Sequence, residues 1–226
     1  MNAVQYSHGP LQTDSASGLI YRLRQPAPAK PGKLLILLHG VGSHEANLLE
    51  LADGVAPDTL VALVRGPLAM GPQQFAWFQV AFTPSGPQID ADAAERSRGA
   101  LTTLLQQLQR QHGIAPEHSV MAGFSQGGIM SASVGLSTPE AMRGFAVLSG
   151  RILPELEPHI ANRERLRHLR AFIGHGTLDS RLPVFWAERS DALLNGLGIT
   201  PVSRRYPIDH FVSEAMHADF VQWLTQ

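Results

Sequence analysis

Short, continuous apolar runs recur along the chain, separated by longer stretches with helical spacing or with Gly/Pro punctuation. Lys33-Leu34-Leu35-Ile36-Leu37-Leu38 and Thr59-Leu60-Val61-Ala62-Leu63-Val64 are of strand length and have no polar alternation. That pattern predicts strands buried on both faces, as in a parallel sheet. Ser119-Val120-Met121-Ala122, Gly144–Leu148, Leu169–Ile173 and Thr200–Tyr206 predict four more strands. Between them, Asp90 to His112 predicts the longest helix. Leu101, Leu104, Leu105 and Leu108 fall at i, i+3, i+4 and i+7, Asp90 suits its start and Gly113 its end. Helices are also expected over Glu45–Ala52, from Ile129, over His159–Arg170 as a basic surface helix, from Pro183 to about Leu197, and over Phe211–Leu224. Residues 1–32 read as edge strands and turns, ended by Pro26, Pro28 and Pro31. The stretch from Arg65 to Phe82 reads as a long loop, rich first in Gly and Pro and then in aromatics. Strands alternating with helices imply one α/β domain over residues 1–226 with a mostly parallel central sheet flanked by helices and no large lid domain.

In such sheets, ligands sit beyond the carboxyl ends of the strands. Four runs end there in polar, Gly-rich segments: His39–Gly42, Ser125–Gly128, His175–Asp179 and Pro207–His210. The second belongs to Ala122-Gly123-Phe124-Ser125-Gln126-Gly127-Gly128, a Gly-x-Ser-x-Gly sequence between a strand and a helix. A serine at the tip of so sharp a turn has its oxygen held clear of the sheet, and glycines flank it because side chains there would collide. Taken alone, the pentapeptide equally describes a Gly-rich turn with a capping serine. The remaining segments weigh against that. A serine nucleophile needs a base, and the base needs a carboxylate to fix its tautomer. In chain order these are expected as Ser, then Asp or Glu, then His. Asp179 and His210, both at strand ends, satisfy the order. Asp209 reads as a turn residue and His175 as a packing residue beside Asp179. Donors for a developing oxyanion are expected at the backbone N–H of Gln126, after the nucleophile, and at that of Val41 in the early Gly-rich loop.

Leu37–Ser43, Ala122–Gly128, Gly174–Asp179 and Tyr206–His210, in that order, resemble the α/β-hydrolase family of bacterial carboxylesterases. That family also includes lysophospholipases and acyl-protein thioesterases. The resemblance spans about residues 33–226. It implies a Ser125–Asp179–His210 triad and an oxyanion hole made by the amides of Val41 and Gln126. Ser180-Arg181-Leu182-Pro183 and Phe211 depart from the family's usual residues at the pocket.

Composition narrows the reading further. The 226 residues carry a net charge of −1, with 44% hydrophobic and 16% charged positions. No basic patch argues for nucleic acid, and no apolar run is long enough to predict stable membrane insertion. The chain has no cysteine, which excludes thiolate metal sites and fits a reducing, cytoplasmic location. The ten histidines are scattered, so no metal site or other cofactor is expected. Leu68, Met70, Trp77 and Phe78, with Phe75 and Phe82 nearby, are the candidate acyl-chain wall, and so apolar and neutral a wall favours a small uncharged ester. The expected activity is a serine carboxylesterase acting on short- to medium-chain acyl esters through an acyl-enzyme. A lysophospholipase or acyl-protein thioesterase is the alternative, and a non-catalytic hydrolase-like binding protein the bland one. The expected partner is a small-molecule acyl ester, and a homodimer is compatible with this reading.

Overall fold

A computed structural model describes residues 5–83 and 86–226, the side chains of residues 82–87 excepted. In chain order the strands are β1 (Ser7–His8), β2 (Gln12–Thr13), β3 (Ile20–Gln25), β4 (Lys33–Leu38), β5 (Thr59–Arg65), β6 (Leu68–Gly71), β7 (Gln74–Ala76), β8 (Val80–Thr83), β9 (Gly86–Ile89), β10 (Ser119–Phe124), β11 (Gly144–Leu148), β12 (Arg170–Gly176) and β13 (Val202–Tyr206). The helices are α1 (Ala91–His112), α2 (Gln126–Ser137), α3 (Arg163–Leu166), α4 (Phe185–Leu197) and α5 (Glu214–Thr225).

The central sheet runs β1-β3-β5-β4-β10-β11-β12-β13, with β2 paired to β3. From β5 to β13 all neighbours are parallel, and β3 joins antiparallel at one side. β4 explains why the interior runs are continuously apolar. Leu34, Ile36 and Leu38 face the cluster formed with α1 and α2, while Leu35 and Leu37 face the one formed with α5. Both sides are dry, so neither side of the strand takes polar residues. α2 is buried along almost its whole length. Its small residues allow this: a Cβ on Gly135 would overlap the Phe145 ring on β11, and Ser131 Oγ hydrogen-bonds to the carbonyls of Gly128 and Ala146. α1 starts and stops where the sequence predicts, with the Asp90 carboxylate accepting from Ala93 N–H and Gly113 closing the end in a left-handed conformation.

Three expectations need correction. The stretch after β5 forms two hairpins, β6–β7 and β8–β9. The basic stretch from His159 to Arg170 contains only the single-turn α3, with a 3₁₀ turn at Pro154–His159 before it. Glu45–Ala52 forms two 3₁₀ turns in place of a helix.

Candidate active site

Ser125 lies between β10 and α2 with φ 51° and ψ −116°, a conformation that L-residues hold only under strain. Two glycines make the turn sterically feasible. A Cβ on Gly123 would overlap the Gly127 carbonyl, and one on Gly127 would overlap the Leu38 carbonyl at the end of β4. The Ser125 amide donates to Leu148 O at 2.8 Å, which ties the turn to the end of β11.

Ser125 Oγ is 2.9 Å from His210 Nε2, and His210 Nδ1 is 2.8 Å from Asp179 Oδ2. The Asp179 side chain is fully buried. Its other oxygen, Oδ1, accepts from the amides of Arg181 at 2.9 Å and Leu182 at 2.7 Å. The carboxylate is thereby fixed in rotation with Oδ2 facing the imidazole. With Oδ2 as acceptor, the proton of neutral His210 sits on Nδ1, and Nε2 is left to accept from the serine hydroxyl. The Phe124 ring, 4.9 Å from the imidazole centroid to centroid, packs against its side. His175 is fully buried beside Asp179; its Nε2 donates to Leu182 O at 2.8 Å and lies 3.4 Å from Asp179 Oδ2. Burial lowers its pKa and keeps the ring neutral. Asp209 turns away from the imidazole and binds the Ser180 amide and hydroxyl and the His210 amide. It clamps the Asp179 and His210 loops together, a turn role.

Gln126 is the first residue of α2, where a helix N–H has no partner within its helix. Val41 N–H has no backbone acceptor among the described residues. His39 sets its direction. The Gly66 amide donates to His39 Nε2 at 2.9 Å, so the ring proton is on Nδ1, which donates to Gly40 O at 2.7 Å. The Ser43 amide reaches the same oxygen at 3.2 Å. A trans peptide points its N–H opposite its carbonyl, so holding Gly40 O on one side turns Val41 N–H to the other. Burial pushes the His39 pKa down to about 4, outweighing the Gly40 hydrogen bond and the nearby Glu45 charge, so the ring stays neutral near pH 7.

The loop is anchored behind by Glu45, whose buried carboxylate accepts from Arg22 Nε at 2.9 Å and Arg65 Nε at 2.7 Å. Burial alone would raise its pKa, but the hydrogen bonds from Arg65 and Arg22 dominate and hold it at about 2. Both groups are more acidic in the folded chain than unfolded, so each favours folding at high pH. The His39 contribution is complete above its ordinary 6.5 and is lost as pH falls to about 4; that of Glu45 is complete above 4.5 and is lost toward about 2. The melting temperature should therefore fall on acidification, first as His39 is protonated and further as Glu45 and the other carboxylates held below their ordinary range, Glu95, Glu140 and Asp209, are protonated. Glu45→Gln should make the fall in the lower range shallower and cost about 2 kcal/mol at pH 7; an unchanged acid profile in that variant would refute the assignment.

Ser125, Gln126, Gly40, Val41 and His210 open on a cavity of about 1130 Å³. Leu68, Met70 and Phe78 line it as the sequence suggests, joined by Val80, Ile89 and Ile129. Trp77 does not. It is fully buried in the core, its indole N–H donates to His39 O at 2.9 Å, and its carbonyl accepts from Ser97 Oγ. Phe75 lies under the Arg65 guanidinium instead, and the side chain of Phe82 lies outside the described residues. The wall is not neutral either: Arg151 and Arg181 are part of it. The Gln126 side chain has a role that the sequence did not reveal. Its Oε1 accepts from Trp77 N–H and its Nε2 donates to Phe78 O, both at 2.8 Å, which fastens the hairpin region to the serine turn.

The sequence profile of the phospholipase/carboxylesterase family matches residues 25–224. An acyl-protein thioesterase 1 of Debaryomyces hansenii is 26% identical over 92% of this chain and 97% of its own length. An Escherichia coli esterase, YpfH, is 31% identical over 57% of this chain and 58% of its own. Among solved structures, a carboxylesterase from Mesorhizobium loti superposes with a TM-score of 0.81 and 26% identity, covering 96% of this chain and 98% of that one.

Proposed function

The chain belongs to the phospholipase/carboxylesterase family of α/β-hydrolases, and on that premise we propose that it is a serine ester hydrolase with Ser125 as nucleophile, His210 as base and Asp179 as the carboxylate partner. The observation that carries this reading is the unbroken hydrogen-bond chain from Asp179 Oδ2 through His210 to Ser125 Oγ, at 2.8 and 2.9 Å, at the floor of an open cavity. His210 Nε2 takes the hydroxyl proton as Ser125 Oγ attacks the acyl carbonyl. The oxyanion is received by the amides of Val41 and Gln126. The imidazolium, stabilised by Asp179, returns the proton to the leaving alcohol as the acyl–oxygen bond breaks. Water then repeats the sequence on the acyl-enzyme and frees the acid.

The acyl chain lies along Leu68, Met70, Phe78, Val80 and Ile89, which suits short and medium chains. A thioesterase reading draws support from the near full-length similarity to the D. hansenii protein. A fluorophosphonate should label one serine per chain, Ser125, and p-nitrophenyl butyrate should be hydrolysed. Folded protein that neither reacts nor hydrolyses would overturn the enzyme reading in favour of a binding protein. Rates on p-nitrophenyl esters, acyl thioesters and lysophospholipids at matched chain length then separate the three substrate classes.

A further inference from the structure

Among the described residues two arginines, Arg24 and Arg151, are almost completely buried, and they are treated in opposite ways. Arg24 is 2% exposed, and its guanidinium donates to the carbonyls of Ala52, Val55, Ala56 and Thr59. Arg151 is 7% exposed and has neither a hydrogen-bond acceptor nor a carboxylate within 4 Å among the described residues. None of its nitrogens is sealed off from solvent, and Arg151 lies in the lining of the cavity at Ser125, so its donors are left to water or to a ligand there. What holds it is geometry. β11 ends at Leu148, and the chain turns through Ser149 at φ 49°. Gly150 then lies against the serine turn, so close that a Cβ would stand 2.8 Å from Ser125 O. Arg151 follows at once, and the Ile152 amide is fixed by Ser190 Oγ at 3.2 Å. The Trp186 ring on α4 carries the guanidinium on its face, 4.4 Å from the ring centroid, and Arg189 lies 5.4 Å from the same ring. Burial and the neighbouring Arg189 charge disfavour the Arg151 charge, and the Glu155 charge offsets part of this. The result is a rigidly placed, unpaired guanidinium in the wall of the cavity that contains Ser125, with Arg181 in the same wall.

The geometry points to an anion-recognition subsite: Arg151 binds a carboxylate borne by the ester substrate, with its planar fork of N–H donors free to pair with two oxygens. Arginine is suited to this role because the fork matches a carboxylate in shape and charge and because it stacks on aromatic faces. The cavity is then apolar at Leu68, Met70, Phe78, Val80 and Ile89 and cationic at Arg151, which would suit a half-ester of a dicarboxylic acid or an ester of a carboxylated alcohol better than a plain fatty ester.

This inference rests on the hydrolase reading above, and the test keeps the two apart. Mono-p-nitrophenyl adipate and p-nitrophenyl hexanoate differ in charge on the acyl side; 4-carboxyphenyl butyrate and 4-carbamoylphenyl butyrate differ on the alcohol side. In one pair, Arg151→Met should lower the ratio of anionic to neutral kcat/KM by about 10- to 100-fold, and Arg151→Lys should restore part of it. The responding pair assigns the side. An unchanged ratio in both pairs overturns the subsite. Binding gives a readout that does not depend on turnover or on the variants. By calorimetry, adipate should bind the wild-type protein at least about 10-fold more tightly than adipamide if the acyl side is recognised, and 4-hydroxybenzoate likewise more tightly than 4-hydroxybenzamide if the alcohol side is; equal affinities in both comparisons overturn the proposal. Failure of the wild type to hydrolyse any of the four esters, charged or neutral, would sink the hydrolase reading and leave these affinities to decide this one.

Discussion

Replacing Ser125 by alanine is expected to lower kcat on p-nitrophenyl butyrate by about 10⁶-fold, the loss seen when a serine nucleophile is removed from a comparable triad. Labelling by fluorophosphonate should vanish with it. The fold should survive, because every backbone hydrogen bond of the turn remains, including that from residue 125 to Leu148 O. Alanine inherits the strained φ of 51°, so the melting temperature should stay near that of the wild type. Ser125→Gly makes a sharper distinction. Glycine tolerates this conformation, so that variant should be equally inactive yet more stable by about 1 kcal/mol. Strain is then a cost carried for presenting the oxygen. Residual activity above about 1% in folded Ser125→Ala, a far smaller loss than this precedent, would move the nucleophile elsewhere, and a Ser125→Gly protein less stable than Ser125→Ala would refute the strain argument.

The sheet was legible from the sequence because a strand buried on both faces leaves no room for polar residues, as Lys33–Leu38 demonstrates. Its functional edge was legible because Gly-rich polar segments at strand ends mark the places where the backbone turns toward a ligand. Ser125, Asp179 and His210 came from three such ends and meet within hydrogen-bonding distance. The two hairpins were not legible. Their strands are three or four residues long, and the density of Gly and Pro between Gly66 and Pro72 describes a loop as well as it describes a hairpin. The fate of Trp77 was hidden for a different reason. An aromatic side chain in such a segment announces burial, but whether it meets ligand or core depends on a partner far away in sequence, here the His39 carbonyl. The roles of His39, Glu45 and the Gln126 side chain are likewise set by long-range contacts. Arg151 is the instructive omission. The strand-end rule singled out four segments and passed over the end of β11, yet applied there it leads directly to Ser149-Gly150-Arg151.

Asp179→Asn is expected to cost about 10⁴-fold in kcat, as in the precedent for this change, and the hydrogen bonds around Asp179 say why. Oδ1 accepts from the Arg181 and Leu182 amides at 2.9 and 2.7 Å, so an asparagine must keep its oxygen there and turn its NH₂ toward His210. Facing a donor, Nδ1 must present a lone pair, and the ring proton moves to Nε2. That nitrogen then donates to Ser125 Oγ where it should accept, and the base is lost with every heavy atom in place. The opposite orientation puts the NH₂ against two backbone N–H groups and is worse. The tautomer account separates from a simple loss of structure in two ways. The melting temperature should change little, and activity should rise with pH as hydroxide substitutes for the missing base. Asp209→Asn, which touches only the Ser180 and His210 amides and the Ser180 hydroxyl, should retain activity within about 10-fold, since its loss leaves the base and its partner intact. Near-wild-type turnover in Asp179→Asn together with collapse in Asp209→Asn would reassign the carboxylate to the neighbouring loop.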